Sequence, residues 1–169
     1  MSEDAKPLPG RLRAALPPYS DLLIGAILWA CQMLLSAGLA LYIRNRLETS
    51  HSAELAALYF FGALLAWPLA LPCARFIAYR RRIETRFAAF FLALAAFTIL
   101  LTAFLFAMDY RAFYSQWHAP FGSVTWAFQF VFTGASAVYQ FSVLGLRLFM
   151  PLGLLCLFGT SFILAKRMR

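Results

Sequence analysis

The sequence predicts an all-α integral membrane protein: a four-helix transmembrane bundle plus an amphipathic or re-entrant helix on the extracytoplasmic side before the last span. Three observations lead to this fold class. Of the 169 residues, 63% are hydrophobic and 13% are charged, with a mean hydropathy of +0.73, whereas soluble domains are about half apolar and a quarter charged. Four apolar runs are long enough to cross the roughly 30 Å of bilayer hydrocarbon. The basic residues are also concentrated in alternate loops.

None of the predicted spans contains an aspartate or a glutamate. The segment before the first span combines prolines with mixed charges and is expected to form a disordered cytoplasmic tail, residues 1–20. Residues 21–169 then form one transmembrane domain. The composition excludes a disordered chain, a disulfide-stapled secreted module and an ordinary soluble enzyme. The predicted spans cover residues 22–43, 55–77, 87–108 and 143–165.

The distribution of lysine and arginine predicts which ends of the spans face the cytoplasm. With the N-terminus inside, eleven of these residues lie on the cytoplasmic side and four on the other. This excess over short loops is the positive-inside pattern, so it favours an even number of spans with both termini cytoplasmic, as in a bacterial inner membrane. The eleven are Lys6, Arg11, Arg13, Arg75, Arg80, Arg81, Arg82, Arg86, Lys166, Arg167 and Arg169, and the four are Arg44, Arg46, Arg111 and Arg147.

Two basic clusters are predicted to contact anionic lipid headgroups on the cytoplasmic side. One lies in the short loop between the second and third spans, and the other follows the last span. A basic residue near such a surface contributes about 1 kcal/mol to membrane attachment. Because lipid contact accounts for these charges, no nucleic-acid partner is expected. The clusters comprise Arg80, Arg81, Arg82, Arg86, Lys166 and Arg167.

Residues 121–142 do not fit the pattern of a simple span. They carry an uncharged polar stripe whose members recur at the spacing of one α-helical face. A continuous helix from residue 124 to 165 would be about 63 Å long, twice the hydrocarbon thickness, so a break is expected at Gly134, Gly145 or Pro151. The stripe consists of Thr125, Gln129, Thr133, Ser136 and Gln140.

Three geometries fit this segment: an amphipathic helix on the outer surface, a re-entrant segment packed inside the bundle, and a fifth span. A fifth span would place the basic residues after position 165 outside, so the charge count argues against it. We favour the surface helix. An interfacial helix usually carries lysine or arginine on its polar face, however, and the uncharged stripe suits burial against protein equally well.

Polar side chains at membrane depth are expected to face other helices. Gln32 and Thr98 lie about 15 Å into their spans by helix rise, where an unpaired amide is costly. Ser36 shares the helical face of Gln32, and Thr102 shares that of Thr98. These four residues are predicted to make intramembrane polar contacts as interhelical hydrogen bonds. A polar lining for a substrate path is the alternative.

Two tryptophans lie unusually deep in their spans. Trp29 and Trp67 occupy comparable heights above the cytoplasmic end. They are expected to serve as large apolar packing, and stacking between the first two spans is the alternative. Pro68 and Pro72 follow in the second span and are expected to bend it, because each removes a backbone hydrogen bond.

The sequence contains no catalytic, cofactor or metal motif. His51, Glu54, Asp109 and His118 are all predicted on the extracytoplasmic side, but their spacing does not support a metal or acid–base site. No carboxylate lies within a span, which disfavours an ion-coupled transporter. We therefore expect neither an enzyme nor a bound cofactor or metal.

Two functions remain. The favoured one is a non-catalytic accessory or assembly subunit of a larger membrane complex, which associates with a membrane-protein partner or with copies of itself. The alternative is a small oligomeric channel or carrier for an uncharged or hydrophobic solute, lined by Gln32, Thr98, Thr102 and the stripe. A membrane enzyme ranks third. An aqueous cavity bordered by these residues would favour the channel, and a dry core with the stripe on the surface would favour the subunit.

Overall fold

The computed structural model describes residues 10–44 and 51–168, which form helices and no strands. Residues 1–9 of the predicted tail, with Lys6, lie outside the described part, as do Arg46 and Arg169. Four of the described helical stretches are long and apolar enough to cross a membrane, so the all-helical fold class is confirmed. These stretches are Arg11–Ile43, Ser52–Ala78, Ile83–Trp117 and Val124–Phe149.

Six α-helices account for most of the described chain. They are α1 (Arg11–Ala15), α2 (Tyr19–Ile43), α3 (Ser52–Ala78), α4 (Ile83–Tyr114), α5 (Val124–Gln140) and α6 (Leu152–Arg167). A 3-10 turn (Ser115–Trp117) follows α4, and a π-helical turn (Phe141–Gly145) and a second 3-10 turn (Leu146–Phe149) follow α5. Helices α2, α3 and α4 contain 25, 27 and 32 residues, more than the roughly 20 that cross the hydrocarbon.

Four helices pack side by side, each against two neighbours. Helix α2 contacts α3, α3 contacts α4, α4 contacts α6, and α6 returns to α2. Helix α1 packs on α3, and α5 packs on α4. The assembly therefore has two distinct ends: the Arg11 end, with α1, residues 79–82 and the last turn of α6, and the Arg44 end, with the last turns of α2 and α4.

The first described residues differ from the expected disordered tail, because Arg11–Ala15 forms α1. Nε of Arg11 donates to the carbonyl of Phe76 (2.9 Å), and the guanidinium lies 4.2 Å from the centre of the Phe76 ring. In return, Nε of Arg75 donates to the carbonyl of Ala14 (3.2 Å). These charge-assisted hydrogen bonds hold on α3 a segment whose composition alone predicts disorder.

Buried small residues recur every four positions along α3, and Gly62 is the one at the contact with α4. Small side chains allow two helix backbones to approach closely. At Gly62 an added Cβ would lie 2.8 Å from the Cα of Thr102. Pro68 and Pro72 lie inside α3, which continues through both. The buried small residues are Gly62, Ala66, Ala70, Ala74 and Ala78.

Helix α4 continues beyond the predicted span 87–108 and past Asp109, to Tyr114. Aromatic side chains four residues apart stack along its last turns. The ring centres of Phe106 and Tyr110 are 6.3 Å apart, and those of Tyr110 and Tyr114 are 4.6 Å apart. Such pairs support a helix and offset the unfavourable position of a carboxylate near a helix C-terminus.

The apolar run 143–165, predicted as one span, is not one helix. The π-helical and 3-10 turns occupy its first part, the backbone is extended at Met150, and α6 begins at Leu152. Pro151, one of the three break points expected from the sequence, lies at this position and has no backbone N–H to donate. With 16 residues, α6 is about 24 Å long, shorter than the hydrocarbon thickness.

Although broken, this stretch runs antiparallel to α4 between the two ends of the assembly. The ring centres of Phe141 and Phe106 are 6.0 Å apart toward the Arg44 end. Those of Phe158 and Phe87 are also 6.0 Å apart toward the Arg11 end. The turns and α6 together therefore cover the distance for which a single helix was predicted.

Candidate functional site

The two deep tryptophans meet between α2 and α3, which the sequence offered only as the alternative to plain apolar packing. The ring centres of Trp29 and Trp67 are 6.2 Å apart, with 39° between their planes. Nε1 of Trp29 donates to Oγ1 of Thr98 (3.0 Å), and Nε1 of Trp67 donates to the carbonyl of Asp21 (2.9 Å). Gly25 leaves room for Trp67, because an added Cβ would collide with the indole. The buried Thr98 hydroxyl thus links α4 to α2.

Thr102 and Gln32 differ in their surroundings. Thr102 is buried, and its Oγ1 faces Gly62 and makes no hydrogen bond within the described chain. Gln32 is half-buried, and its Oε1 accepts a long hydrogen bond (3.4 Å) from Oγ1 of Thr160 on α6. Thr102 is therefore a packing residue of the α3–α4 contact, whereas Gln32 faces the space between α2 and α6.

Ser36 bridges the break in the fourth apolar run. Its buried hydroxyl donates to the carbonyl of Leu148 (3.1 Å) and accepts from the backbone N–H of Gly153 (2.9 Å). These two groups flank Pro151, where helical partners are lost. One side chain from α2 therefore satisfies both a donor and an acceptor. An added Cβ at Gly153 would lie 2.9 Å from Oγ of Ser36, so the position favours glycine.

Tyr59 on α3 likewise forms a hydrogen bond to the backbone of the π-helical turn (Phe141–Gly145). Its hydroxyl donates to the carbonyl of Gly145 (2.5 Å). Its ring centre lies 4.8 Å from that of Phe149 and 6.5 Å from that of Phe141. Side chains of α2 and α3 thus pair backbone groups of the irregular segment.

A glycine-containing turn and a serine N-cap define the start of α5. The N–H of Ser123 donates to the carbonyl of Pro120 (3.2 Å), which closes a turn with Gly122 at a φ of 85°. A positive φ at this position of a turn favours glycine. Oγ of Ser123 then accepts from the N–H of Trp126 (3.1 Å), the usual N-cap interaction.

Three of the five stripe residues face the end of α4 and the loop that follows it. Oε1 of Gln129 accepts from the backbone N–H of Ala119 (2.8 Å). Nε2 of His118 lies 3.2 Å from Oγ1 of Thr133. These contacts anchor the first turns of α5 to the loop rather than to a cavity.

Of the remaining stripe residues, one contacts α4 and two are exposed. Nε2 of Gln140 donates to the hydroxyl of Tyr110 (3.2 Å). Thr125 and Ser136 lie at the edge of the stripe and are exposed. The guanidinium of Arg111 also lies 3.5 Å from the centre of the Phe130 ring, a cation–π contact from α4 to α5. The uncharged stripe is therefore mostly paired with protein.

The opposite side of α5 is apolar and exposed. Phe128 and Phe132 on this side are 61% and 65% exposed. No charged residue occurs in α5. Helix α5 thus turns its polar residues toward the protein and its apolar residues away, the reverse of a helix on a soluble protein. The outward face of α5 consists of Val124, Phe128, Val131, Phe132, Val138 and Tyr139.

A lateral groove of about 440 Å³ lies between α2 and α6, with α3 behind it. Trp29 and Trp67 line the groove, and exposed Leu28 and Ile163 line it from α2 and α6. Gln32 lies toward the middle of the helices. A volume of this size is typical of small-ligand sites. We call this space the α2–α6 groove.

Charged side chains line the Arg11 end of the α2–α6 groove. They are Asp21 from the first turn of α2, Arg75 from α3 and Arg167 from the last turn of α6. Nε of Arg75 donates to the carbonyl of Ala14. The two terminal nitrogens of Arg75 therefore remain available to bind a ligand. Arg167 makes no hydrogen bond or ion pair with any described residue.

The basic residues predicted to meet lipid headgroups have several roles. Arg81 and Arg82 are exposed, Arg80 stacks on the Tyr79 ring, and Lys166 lies 4.4 Å from the centre of the Phe162 ring. Arg86 instead joins two segments, because it donates to the carbonyls of Arg81 (2.8 Å) and Met168. It therefore ties the α3–α4 loop to the end of α6.

The candidate metal or acid–base residues do not come together. Nδ1 of His51 and Oε2 of Glu54 form an exposed pair (2.8 Å), while His118 contacts Thr133. The described ranges contain no group of three or more histidine, cysteine or acidic side chains able to hold a metal ion.

Comparison with other proteins gives no assignment: no protein-family model, no curated protein and no solved structure matches the sequence.

Sequence analysis did not identify the α2–α6 groove, the bridging role of Ser36 or the contact of Tyr59. The groove requires knowing that α2 and α6 are neighbours, which periodicity does not give. Ser36 and Tyr59 could be assigned only after Pro151 was selected among three break points. One available signal was Arg75, a basic residue within the second apolar run, together with Arg167 at the end of the fourth.

Proposed function

We propose that this chain is a polytopic inner-membrane protein of a bacterium, with four crossings and both termini in the cytoplasm. The excess of lysine and arginine in alternate loops supports this orientation. The contact of Arg11 with Phe76 and that of Arg86 with Met168 gather the basic segments at one end of the helices. In this arrangement the fourth crossing is the broken stretch 141–167, and α5 lies against α4 on the extracytoplasmic side.

Within the membrane, the chain acts as a non-catalytic accessory subunit that binds another membrane protein. The outward face of α5 carries this proposal. A helix that rests among lipid headgroups usually carries basic residues on its polar face, but α5 has none and uses its polar residues for α4. Its outward face instead presents Phe128, Phe132 and Tyr139, the aromatic type that is enriched at protein interfaces. The occupant is a transmembrane segment of a different protein.

The packing of the core argues against a channel lined by Gln32, Thr98, Thr102 and the stripe. Thr98 and Thr102 are 3% and 0% exposed, and neither lines the α2–α6 groove. Three of the five stripe residues on α5 are paired with α4 and its loop, and the other two are exposed. Among the residues expected to line a channel, Gln32 alone borders the α2–α6 groove, so a carrier for an uncharged solute is the second candidate, favoured by the groove alone.

Affinity purification in a gentle detergent, followed by native mass measurement, tests the subunit proposal. The informative variant is Phe128→Ala/Phe132→Ala, and the matched control is Leu92→Ala/Leu100→Ala, two α4 residues that are each 65% exposed. We expect one stoichiometric partner with the unmodified chain and the control, and loss of that partner with the α5 variant. A homo-oligomer without a second protein would refute the subunit and favour the carrier.

A further inference from the structure

We infer that the α2–α6 groove is a binding site for one phospholipid of the cytoplasmic leaflet. Its phosphate lies at Arg75 and Arg167, and one acyl chain lies between Leu28 and Ile163. The inference requires the membrane insertion proposed above but no protein partner. It therefore stands or falls separately from the role of α5.

The length of the groove matches one leaflet. Asp21 and Gln32 both line it, and their separation of eleven positions corresponds to about 16 Å of helix rise. This is about half of the roughly 30 Å hydrocarbon thickness. An acyl chain that enters at the charged end would therefore end near the bilayer centre, where Gln32 and Thr160 bond to each other.

The walls of the groove suit an alkyl chain. Leu28 and Ile163 lie on its two sides and are 59% and 51% exposed, while Trp29 and Trp67 form its largely buried floor, at 2% and 5% exposed. The indole N–H groups are already bonded within the protein, so neither tryptophan leaves an unpaired donor at the floor. Because Leu28 and Ile163 are exposed, the groove is open toward the lipid from which the chain would enter.

The charges at the mouth suit a phosphodiester. Arg75 and Arg167 supply two positive charges, and Asp21 supplies one negative charge, so the mouth carries one net positive charge. A phosphodiester carries one negative charge, whereas a phosphomonoester carries about two at neutral pH. Arginine binds phosphate oxygens through paired N–H donors, and the terminal nitrogens of Arg75 and all of those of Arg167 are free for this purpose among the described contacts.

Native mass spectrometry of the full chain, titrated with dioleoylphosphatidylglycerol, tests the inference. Arg167→Ala should weaken the first lipid adduct about tenfold, as expected for loss of one charge-assisted contact. Lys166→Ala is the matched control, because Lys166 has the same charge in the same helical turn but lies over Phe162 outside the groove. The control should bind as the unmodified chain does.

A second pair of variants tests the acyl-chain path. Leu28→Trp should fill the groove and abolish the first adduct, whereas Ile27→Trp, at a neighbouring position that does not line the groove, should leave it. Thermal melting verifies that each variant is folded. Equal loss with Arg167→Ala and Lys166→Ala would overturn the inference, because it indicates headgroup attraction without a site. Oleate or inorganic phosphate binding with the same dependence on Arg167, or tighter binding of dioleoylphosphatidate, would also overturn it.

Discussion

Replacement of Gly62 by alanine tests whether the backbones of α3 and α4 touch as closely as described. An added Cβ would lie 2.8 Å from the Cα of Thr102 and would collide with its Oγ1. Carbon atoms prefer separations of about 3.5–4.0 Å, so the helices must move apart by roughly 1 Å. Because the obstructing Cα belongs to the backbone, a rotamer change of Thr102 cannot relieve the contact.

The expected cost of Gly62→Ala is about 2 kcal/mol in the free energy of unfolding, within the range of about 1–3 kcal/mol for overpacking. For a chain of this size that corresponds to a fall in Tm of roughly 4–8 °C. Gly38→Ala is the matched control, since nothing lies within 4 Å of an added Cβ on α2. There alanine should be neutral or stabilising by up to about 1 kcal/mol.

Thermal melting in detergent, followed by tryptophan fluorescence, measures both variants. The informative quantity is the change in Tm: Gly62→Ala should lower it, and Gly38→Ala should leave it unchanged or raise it. Because both changes raise helix propensity equally, a difference between them reports packing. Addition of Thr102→Ala should restore part of the loss at Gly62, since it removes the hydroxyl but not the Cα. If Gly62→Ala and Gly38→Ala gave the same Tm, the close α3–α4 contact would be refuted.

Three further predictions concern the polar contacts. Ser36→Ala leaves two buried backbone groups unpaired and should destabilise the chain by about 2–4 kcal/mol, measured as detergent-induced unfolding; no change would contradict the bridge. Trp29→Phe and Thr98→Val should be non-additive in a double-mutant cycle, with a coupling of about 0.6 kcal/mol; additivity would exclude their hydrogen bond. Gln129→Leu should expose α5 to limited proteolysis more than the edge change Thr125→Val; equal digestion would contradict the anchoring of α5.

The sequence predicted well those elements whose formation depends on local apolar length. The runs 22–43 and 55–77 fall within α2 and α3. Helix rise alone also places Trp29 and Trp67 at a similar depth, which made their contact one of two interpretations of the sequence. Each of these conclusions follows from the number of residues along a single helix and the rise per residue.

The fourth apolar run is interrupted rather than one helix. Hydropathy alone gives a uniform span here, and the sequence named Pro151 only as one of three possible break points. The interruption is stable only because Ser36 and Tyr59 pair the released groups from two other helices. These hydrogen bonds come from other helices, so the pattern of residues within one segment cannot predict them.

The polar stripe on α5 illustrates the same limit. Its periodicity correctly predicted a helix with one polar face, but not the direction of that face. The direction follows from Gln129 and Gln140, whose partners are a backbone N–H at Ala119 and the hydroxyl of Tyr110. The small-residue repeat of α3, by contrast, was available in the sequence as five small residues at four-residue spacing.

Site-specific photo-cross-linking in intact membranes tests the central claim most directly, namely that the outward face of α5 binds another membrane protein. A benzophenone amino acid is placed at Phe132, with Leu100 on α4 as the control of equal exposure. The account predicts one protein adduct of defined mass at Phe132, different from a dimer of this chain, and none at Leu100. Lipid adducts alone at Phe132, or a dimer of this chain, would contradict it.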